Sequence, residues 1–445
     1  MINKKVLYIS GSLGLGHVTR DLAIASELRK KYPQIEISWL AAQPASLVLR
    51  QAGEKLLPDA DLYTDDNIFA EKAASGARLN LLKYLLSARD GWKHNVEIFK
   101  QVVGREKYDL VIADEAYEIV LAWIENSNLM KIPFVMIYDF VGLDSMTNNP
   151  LEKLGVYIWN WKWSQDYKKV YSPNLIELFI GELLDVPDKR FGFLLPNRRD
   201  YARKKYKILG YVLGFRVEDY ADKARIRAEL GYGSEPLVLC SIGGTAIGKD
   251  LLELCGNAYP IVRKKIPDLQ MLLVCGPRLS TDSLNVPHGV KIAGYVPDLF
   301  KHFAASDLAI VQGGGSTTLE LTALRRPFLY FPLKEHFEQQ ICVAGRLERH
   351  KAGAKMIYSQ TTADDLAEKI IAHLGKDVIY DPIPSDGAQK TVQIIEQFLS
   401  LQQKESITES AWPIDPPSAS ITQPILAGRS KEYKETNTDS KRRTL

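Results

Sequence analysis

Cysteine is scarce in this chain, with Cys240, Cys255, Cys275 and Cys342 the four present in 445 residues. No two have C-x-x-C spacing, which argues against a zinc module and fits a reducing, cytoplasmic setting. Long apolar runs are lacking as well. The longest are about the length of Ile119–Ile124, against the roughly 20 residues that a membrane-spanning helix needs. No apolar leader core precedes the first expected strand at Val6. A charge excess is also missing: 57 Lys and Arg against 54 Asp and Glu leave +3, too little to point to nucleic acid as a partner. With 46% hydrophobic and 25% charged residues, the chain is not disordered as a whole.

Short apolar runs are present throughout, and they alternate with helical patterns. Val6–Ser10, Ile35–Leu40, Leu110–Ala113 and Phe134–Tyr138 read as strands in the first half. Leu237–Ser241, Met271–Cys275, Leu308–Val311 and Phe328–Phe331 do so in the second. Helical segments such as Leu251–Lys265 and Phe337–His350 separate them. Such alternation predicts parallel sheets covered on both faces, an α/β fold. The expected domains are 1–215 and 216–400, with Arg216–Ser234 as linker. From Leu401 the chain is rich in Ser, Thr, Pro and mixed charge, which predicts a disordered tail over 401–445. Helices are expected between Asp59 and Arg105, an excursion suited to lining an acceptor pocket.

Ligands in such sheets bind beyond the carboxyl ends of the strands. The first turn, Gly11-Ser12-Leu13-Gly14-Leu15-Gly16-His17, leads into a helix. A dinucleotide fingerprint would need a third glycine at Thr19 and an acid after the second strand, where Ala41, Ala42 and Gln43 stand instead. His17 lies where turn becomes helix and suits a general base, oriented by an acid such as Asp114 or its neighbour Glu115. Ser241-Ile242-Gly243-Gly244-Thr245 and Gln312-Gly313-Gly314-Gly315-Ser316-Thr317 are strand-to-helix turns whose amides suit a phosphate. Glu320, one turn into the second of these helices, suits a ribose diol.

Gln312, Gly313, Gly314, Thr317, Glu320, Pro327, Pro332, Glu338 and Gln339 together resemble the donor signature of GT-B glycosyltransferases, in particular the UDP-glycosyltransferases and the MurG-like group. Gly11–His17 is similar to their amino-terminal loop, Ser241–Thr245 to their phosphate turn, and Gly294-Tyr295-Val296-Pro297 to the strand end facing the nucleotide base. Departures are Gln312 in place of a frequent His, Arg325-Arg326-Pro327 in place of Gly-x-Pro, and a longer step from Pro332 to Glu338.

The resemblance implies two Rossmann-like parallel-sheet domains facing a cleft. The acceptor would bind the first, beside Gly14 and Gly16, and the nucleotide sugar the second. Helix Lys390–Leu399 would pack back across the junction. It implies an inverting glycosyltransferase with His17 as base and Asp114 orienting it. Gly243, Gly244, Thr245, Val296, Gln312–Thr317, Glu320, Glu338 and Gln339 would hold the donor, most simply a UDP-sugar. No metal or cofactor is expected, the nucleotide sugar being a substrate. Asp59-Ala60-Asp61 reads as a chance D-x-D match. Phe328, eight residues past Glu320, removes the paired glutamates of retaining enzymes. Alternative readings are a nucleotide-sugar epimerase or hydrolase of the same fold, using Glu115 and Asp139, and a non-catalytic nucleotide-sugar-binding partner protein. The acceptor is open among a small molecule, a glycan and a lipid-linked molecule. Trp159, Trp161 and Trp163, with the basic run Arg198–Lys207, read either as pocket and solvated helix face or as a peripheral membrane contact.

Overall fold

The computed structural model describes residues 4–11, 13–169 and 173–410; Ser12 of the first turn and the expected tail beyond Ser410 lie outside the described residues. In chain order the strands are β1 (Lys5–Ile9), β2 (Glu36–Leu40), a small hairpin β3–β4 (Ala74–Ser75 and Arg78–Leu79), β5 (Leu110–Asp114), β6 (Phe134–Tyr138), β7 (Leu175–Phe179) and β8 (Lys207–Ile208). There follow β9 (Leu237–Ser241), β10 (Gln270–Val274), β11 (Lys291–Ala293), β12 (Leu308–Gln312), β13 (Phe328–Phe331) and β14 (Ala354–Lys355). They make two parallel sheets, ordered β2-β1-β5-β6-β7-β8 and β11-β10-β9-β12-β13-β14.

Strands β5, β6, β9 and β12 are buried at every position. Each sheet is covered on both faces, so these strands do not alternate in polarity. Four hydrophobic clusters result, two per sheet. The strand order reverses direction between β1 and β5 in one sheet and between β9 and β12 in the other. Register pairs Ile9 with Ala113 and Val311 with Ser241. The turns after these four strands therefore open at the two crevices where ligands bind in such sheets.

The last helix, Gly387–Ser410, follows the second sheet in sequence yet packs on the first. Ala388, Val392, Ile395 and Phe398 recur at helical spacing and join Val6, Tyr8, Ile24 and Leu28. The helix runs on to Ser410, while the chain divides into compact units between Gln402 and Gln403, beside the boundary expected at Leu401. The expected linker is also more structured than its composition implied. It holds helix Lys223–Glu229, whose Ile226 is buried in the second lobe's core. Tryptophans 159, 161 and 163 lie on helix Pro150–Lys169. Trp159 and Trp163, one turn apart, face inward, while Trp161 on the opposite face is 47% exposed. The basic run forms helix Arg198–Lys205; Arg198 is buried against Asp144 at 2.8 Å and Lys205 reaches Glu177 at 3.3 Å.

Because Ile395 is 1% exposed within the first lobe's core, Ile395→Ala is expected to destabilise the protein by about 2–4 kcal/mol. Urea unfolding followed by circular dichroism measures this; a loss below about 1 kcal/mol would contradict the docking of this helix.

Candidate active site

A cavity of about 1110 Å³ runs between the lobes and is lined by all three Gly-rich turns and by the ends of β5 and β6. Helix Gly16–Lys31 follows β1. Residues three apart on it share a face, so His17 and Arg20 point together at β5 and β6. The Arg20 guanidinium donates to both oxygens of Asp114, at 2.8 and 2.6 Å, and to Asp139 Oδ2 at 2.8 Å. His17 Nδ1 lies 3.0 Å from Asp114 Oδ2 and 2.7 Å from Arg20 Nη2. His17 Nε2 lies 3.5 Å from Glu115 Oε2, and Tyr117 Oη donates to Glu115 Oε1 at 3.2 Å.

The charges divide these acids. Burial opposes ionisation of Asp114, but the Arg20 charge and then His17 hold its carboxyl below the usual range. Asp139 is likewise held low against burial, by Arg20 and by a hydrogen bond with Glu115. Glu115 goes the other way: burial and the Asp139 charge push it well above the ordinary value. The Arg20 charge thus favours the anions of Asp114 and Asp139, while Glu115 is driven toward its neutral form. With an Nδ1 proton directed to Asp114, His17 would present its Nε2 lone pair to the cleft; the 2.7 Å approach of Arg20 Nη2 to Nδ1 is the contact that competes with this tautomer. His17, Glu115 and Asp139 offer ligand atoms within 4.8 Å of one another, a spacing a cation would accept. Arg20 already supplies positive charge there. Both acids of the D-x-D match lie apart from the cleft lining, Asp59 paired with Arg105 at 2.7 Å and Asp61 with Arg50 at 2.6 Å.

Across the cleft, helix Gly315–Ala323 begins directly after Gly313-Gly314. Its start meets the start of helix Gly16–Lys31: a Cβ at Gly16 would collide with the Ser316 side chain. A Cβ at Gly244 would lie 2.7 Å from the Leu15 amide nitrogen. Glycine is needed at both places for the lobes to approach, and two helix N-termini face one space, an arrangement suited to anions. Gly14, Gly16, Gly243, Gly244, Thr245, Val296, Gln312, Gly314, Gly315, Ser316, Thr317, Glu320, Glu338 and Gln339 all line the cavity. Gly313 sits just behind, against Pro332.

Two residues are engaged differently from the expectation. The Gln312 amide donates to Ile247 O at 3.1 Å, bracing the phosphate turn, and Gln339 Oε1 accepts from the Leu333 amide at 2.8 Å. Glu320 is pushed up to about 8 by burial, with no cation among the causes. Glu338 opens a π-helix, Glu338–Val343, and is pushed up to about 7 by burial and by Asp139.

Arg278 escaped the sequence reading. It donates to Glu71 at 2.6 and 2.8 Å and to Asp65 at 2.6 Å, across the cleft. Glu71 Oε1 also accepts from the Ala246 amide at 3.1 Å, so an acid of the first lobe is seated on the phosphate turn of the second. The hairpin β3–β4 adds two backbone bonds, Leu79 N to Lys334 O at 3.2 Å and Lys334 N to Ala77 O at 2.8 Å.

Residues 238–381 match the glycosyltransferase family 28 C-terminal domain. An uncharacterized glycosyltransferase of Methanosarcina acetivorans is 31% identical over 76% of this chain and 79% of its own length. The chain belongs to the MurG-like GT-B glycosyltransferases. The UDP-N-acetylglucosamine–N-acetylmuramyl-(pentapeptide) pyrophosphoryl-undecaprenol N-acetylglucosamine transferase of Alkaliphilus oremlandii is 20% identical over 92% of this chain and 96% of its own. The enzyme of that name from Carboxydothermus hydrogenoformans matches more locally, 27% over 25% of this chain and 31% of its own, so the chain spans about a third of that relative. Among solved structures, the glycosyltransferase of kitacinnamycin superposes with a TM-score of 0.54 at 15% identity, covering 92% of this chain and 99% of that one. Acinetobacter baumannii MurG does so at 0.50 and 16%, covering 88% and 99%. At these identities the structures establish the GT-B fold alone. No helix among the described residues is long and apolar enough to cross a membrane.

In this GT-B chain, Arg20→Gln leaves the buried Asp114 and the partly exposed Asp139 without their cation and is expected to cost about 3–5 kcal/mol at pH 7. The sign follows from the carboxylates, both held low when folded. Their stabilisation is fully present above about pH 4 and is lost as pH falls through the folded values. The Tm difference between wild type and variant is therefore largest at neutral pH and narrows toward pH 3. A difference that is flat or grows on acidification would contradict the pairing.

Proposed function

We propose that this glycosyltransferase moves a sugar from a UDP-sugar to an acceptor hydroxyl by a single inverting displacement, without a metal. The observation carrying the proposal is His17, braced by Asp114 and Arg20, facing the space where two helix N-termini converge. His17 Nε2 takes the acceptor proton as the acceptor oxygen bonds to the anomeric carbon. The bond from that carbon to the diphosphate oxygen breaks on the opposite side, and UDP leaves with the electron pair. Amides of Gly244 and Thr245 and of Gly315–Thr317 stabilise the departing charge; those of Gly313 and Gly314 are taken by Phe331 O and Gln312 O. Glu320 accepts from the ribose hydroxyls, Val296 lies against the base, and Glu338 and Gln339 contact the sugar. Asp114 positions His17 and stabilises the imidazolium that forms. The UDP assignment draws on the donor in the names of the relatives. Arg20 neutralises the carboxylates that a divalent ion would otherwise bridge, which supports metal-free chemistry. The acceptor is a small molecule, a glycan or a lipid-linked molecule.

A second reading, a nucleotide-sugar epimerase or hydrolase, is favoured by one observation, the Glu115–Asp139 pair beside His17. A new nucleotide sugar formed without acceptor would support it.

UDP and UDP-hexoses are expected to raise Tm, whereas GDP- and dTDP-sugars do so less. His17→Ala is expected to lower kcat by about 10²–10⁴-fold with donor KM within about twofold, since it binds no donor atom. Unchanged turnover with intact donor binding would remove His17 as base, and the absence of stabilisation by any nucleotide sugar would remove the donor assignment.

A further inference from the structure

Beyond His17 the cavity continues into the first lobe, away from the phosphate turns. Its wall there is aromatic. Tyr84, Trp92 and Trp159 form one chain of rings, with centroids 6.2 Å apart at each step. Tyr117, Phe140 and Trp163 form another, 5.4–5.9 Å apart. Phe337 of the second lobe closes against Phe140 at 5.2 Å. All seven line the cavity. Tyr117 is tied to the reacting end, because its hydroxyl donates to Glu115, which faces His17 Nε2.

Apart from His17 and His336, the ionisable groups on this wall are acids, Asp66, Glu115, Glu118 and Asp139 among them; burial pushes His336, beside Phe337, down to about 4, so it brings no positive charge at neutral pH. Arg20 is the cation at the reacting end, and its charge is matched by the two carboxylates it bonds, Asp114 and Asp139. The other lining cations stand elsewhere. Arg346 donates to Gly315 O and Thr318 Oγ1 in the second lobe. Lys30 lies at the far end of helix Gly16–Lys31, and Arg216 beside Glu218. A phosphate group buried on this wall would lose its water and find no counter-charge. Asp66 and Glu118, pushed up to about 7 and about 8 chiefly by burial, add no positive charge in either protonation state.

Resting on the glycosyltransferase reading, we infer that the acceptor is a hydrophobic alcohol or phenol with no anionic group near its hydroxyl. It lays an apolar body on the Tyr84–Trp92–Trp159 and Tyr117–Phe140 wall and presents its hydroxyl to His17. A lipid carried on a diphosphate next to the reacting sugar does not match this wall.

Isothermal titration of the full chain with 4-phenylphenol, farnesol and farnesyl diphosphate, each with and without saturating UDP, tests the inference. The two neutral probes are expected to bind, and farnesyl diphosphate to bind roughly tenfold or more weakly than farnesol. Trp92→Ala is expected to weaken 4-phenylphenol by about three- to tenfold, with Tyr84→Ala as the second variant should the first not fold. Farnesyl diphosphate binding as tightly as farnesol, neither neutral probe binding, or aromatic truncations without effect would each overturn the inference. A protein that binds 4-phenylphenol but not UDP keeps the wall's chemistry as stated and refutes the donor reading instead.

Discussion

A single buried guanidinium organises the first lobe's wall of the cleft. Arg20 meets Asp114 through two bonds and Asp139 through a third, so one cation from the first helix ties the ends of two neighbouring strands. Such a cluster is costly to desolvate, and its net stabilisation is small. Its value is positional. It holds the Asp114 carboxyl below the usual range in a fully buried place, and Asp114 fixes the orientation of the His17 ring through Nδ1 at 3.0 Å. It holds Asp139 low too, and the Asp139 charge together with burial raises Glu115. One cation thus pushes the acidities of three neighbouring carboxyls apart.

Where the two lobes meet, the cleft is shaped by geometry more than by charge. Both lobes present strand–turn–helix units at the reversal of their strand order, and the two units meet so closely that side chains at Gly16 or Gly244 would collide with the opposite lobe. Partial positive charge from two sets of free amides then falls on one volume. The lobes are held in this state by Arg278 with Glu71 and Asp65, and by the backbone pairing of the hairpin with Lys334.

Much of this was legible in the sequence. The eight strands expected from apolar runs are all present with small shifts of boundary, because fully buried parallel strands are uniformly apolar. β7, β8, β11 and β14 were not, being short or mixed in polarity, as in the Leu175–Phe179 strand with its buried Glu177. The Gly-rich turns and His17 were legible because glycine freedom and a lone histidine are local signals. Arg20 was not, although its i+3 spacing from His17 was visible; its partners lie 94 and 119 residues away. Arg278 and Glu71 are 207 residues apart, and nothing local marks them as a pair. Gly-x-Pro in the related signature becomes Arg325-Arg326-Pro327, yet Arg325 adopts φ 51, the left-handed conformation a glycine favours. The turn survives the substitution. The tryptophan triplet looked ambiguous at strand spacing, and only its helical setting separates Trp161 from the two that face inward.

The central claim is that one base and one leaving group act from opposite sides of the anomeric carbon. Proton NMR of the sugar first released when the enzyme turns over an α-linked UDP-hexose with water as acceptor tests it most directly. The account predicts that the β anomer appears first and then equilibrates by mutarotation. Initial release of the α anomer would contradict a single displacement driven from His17.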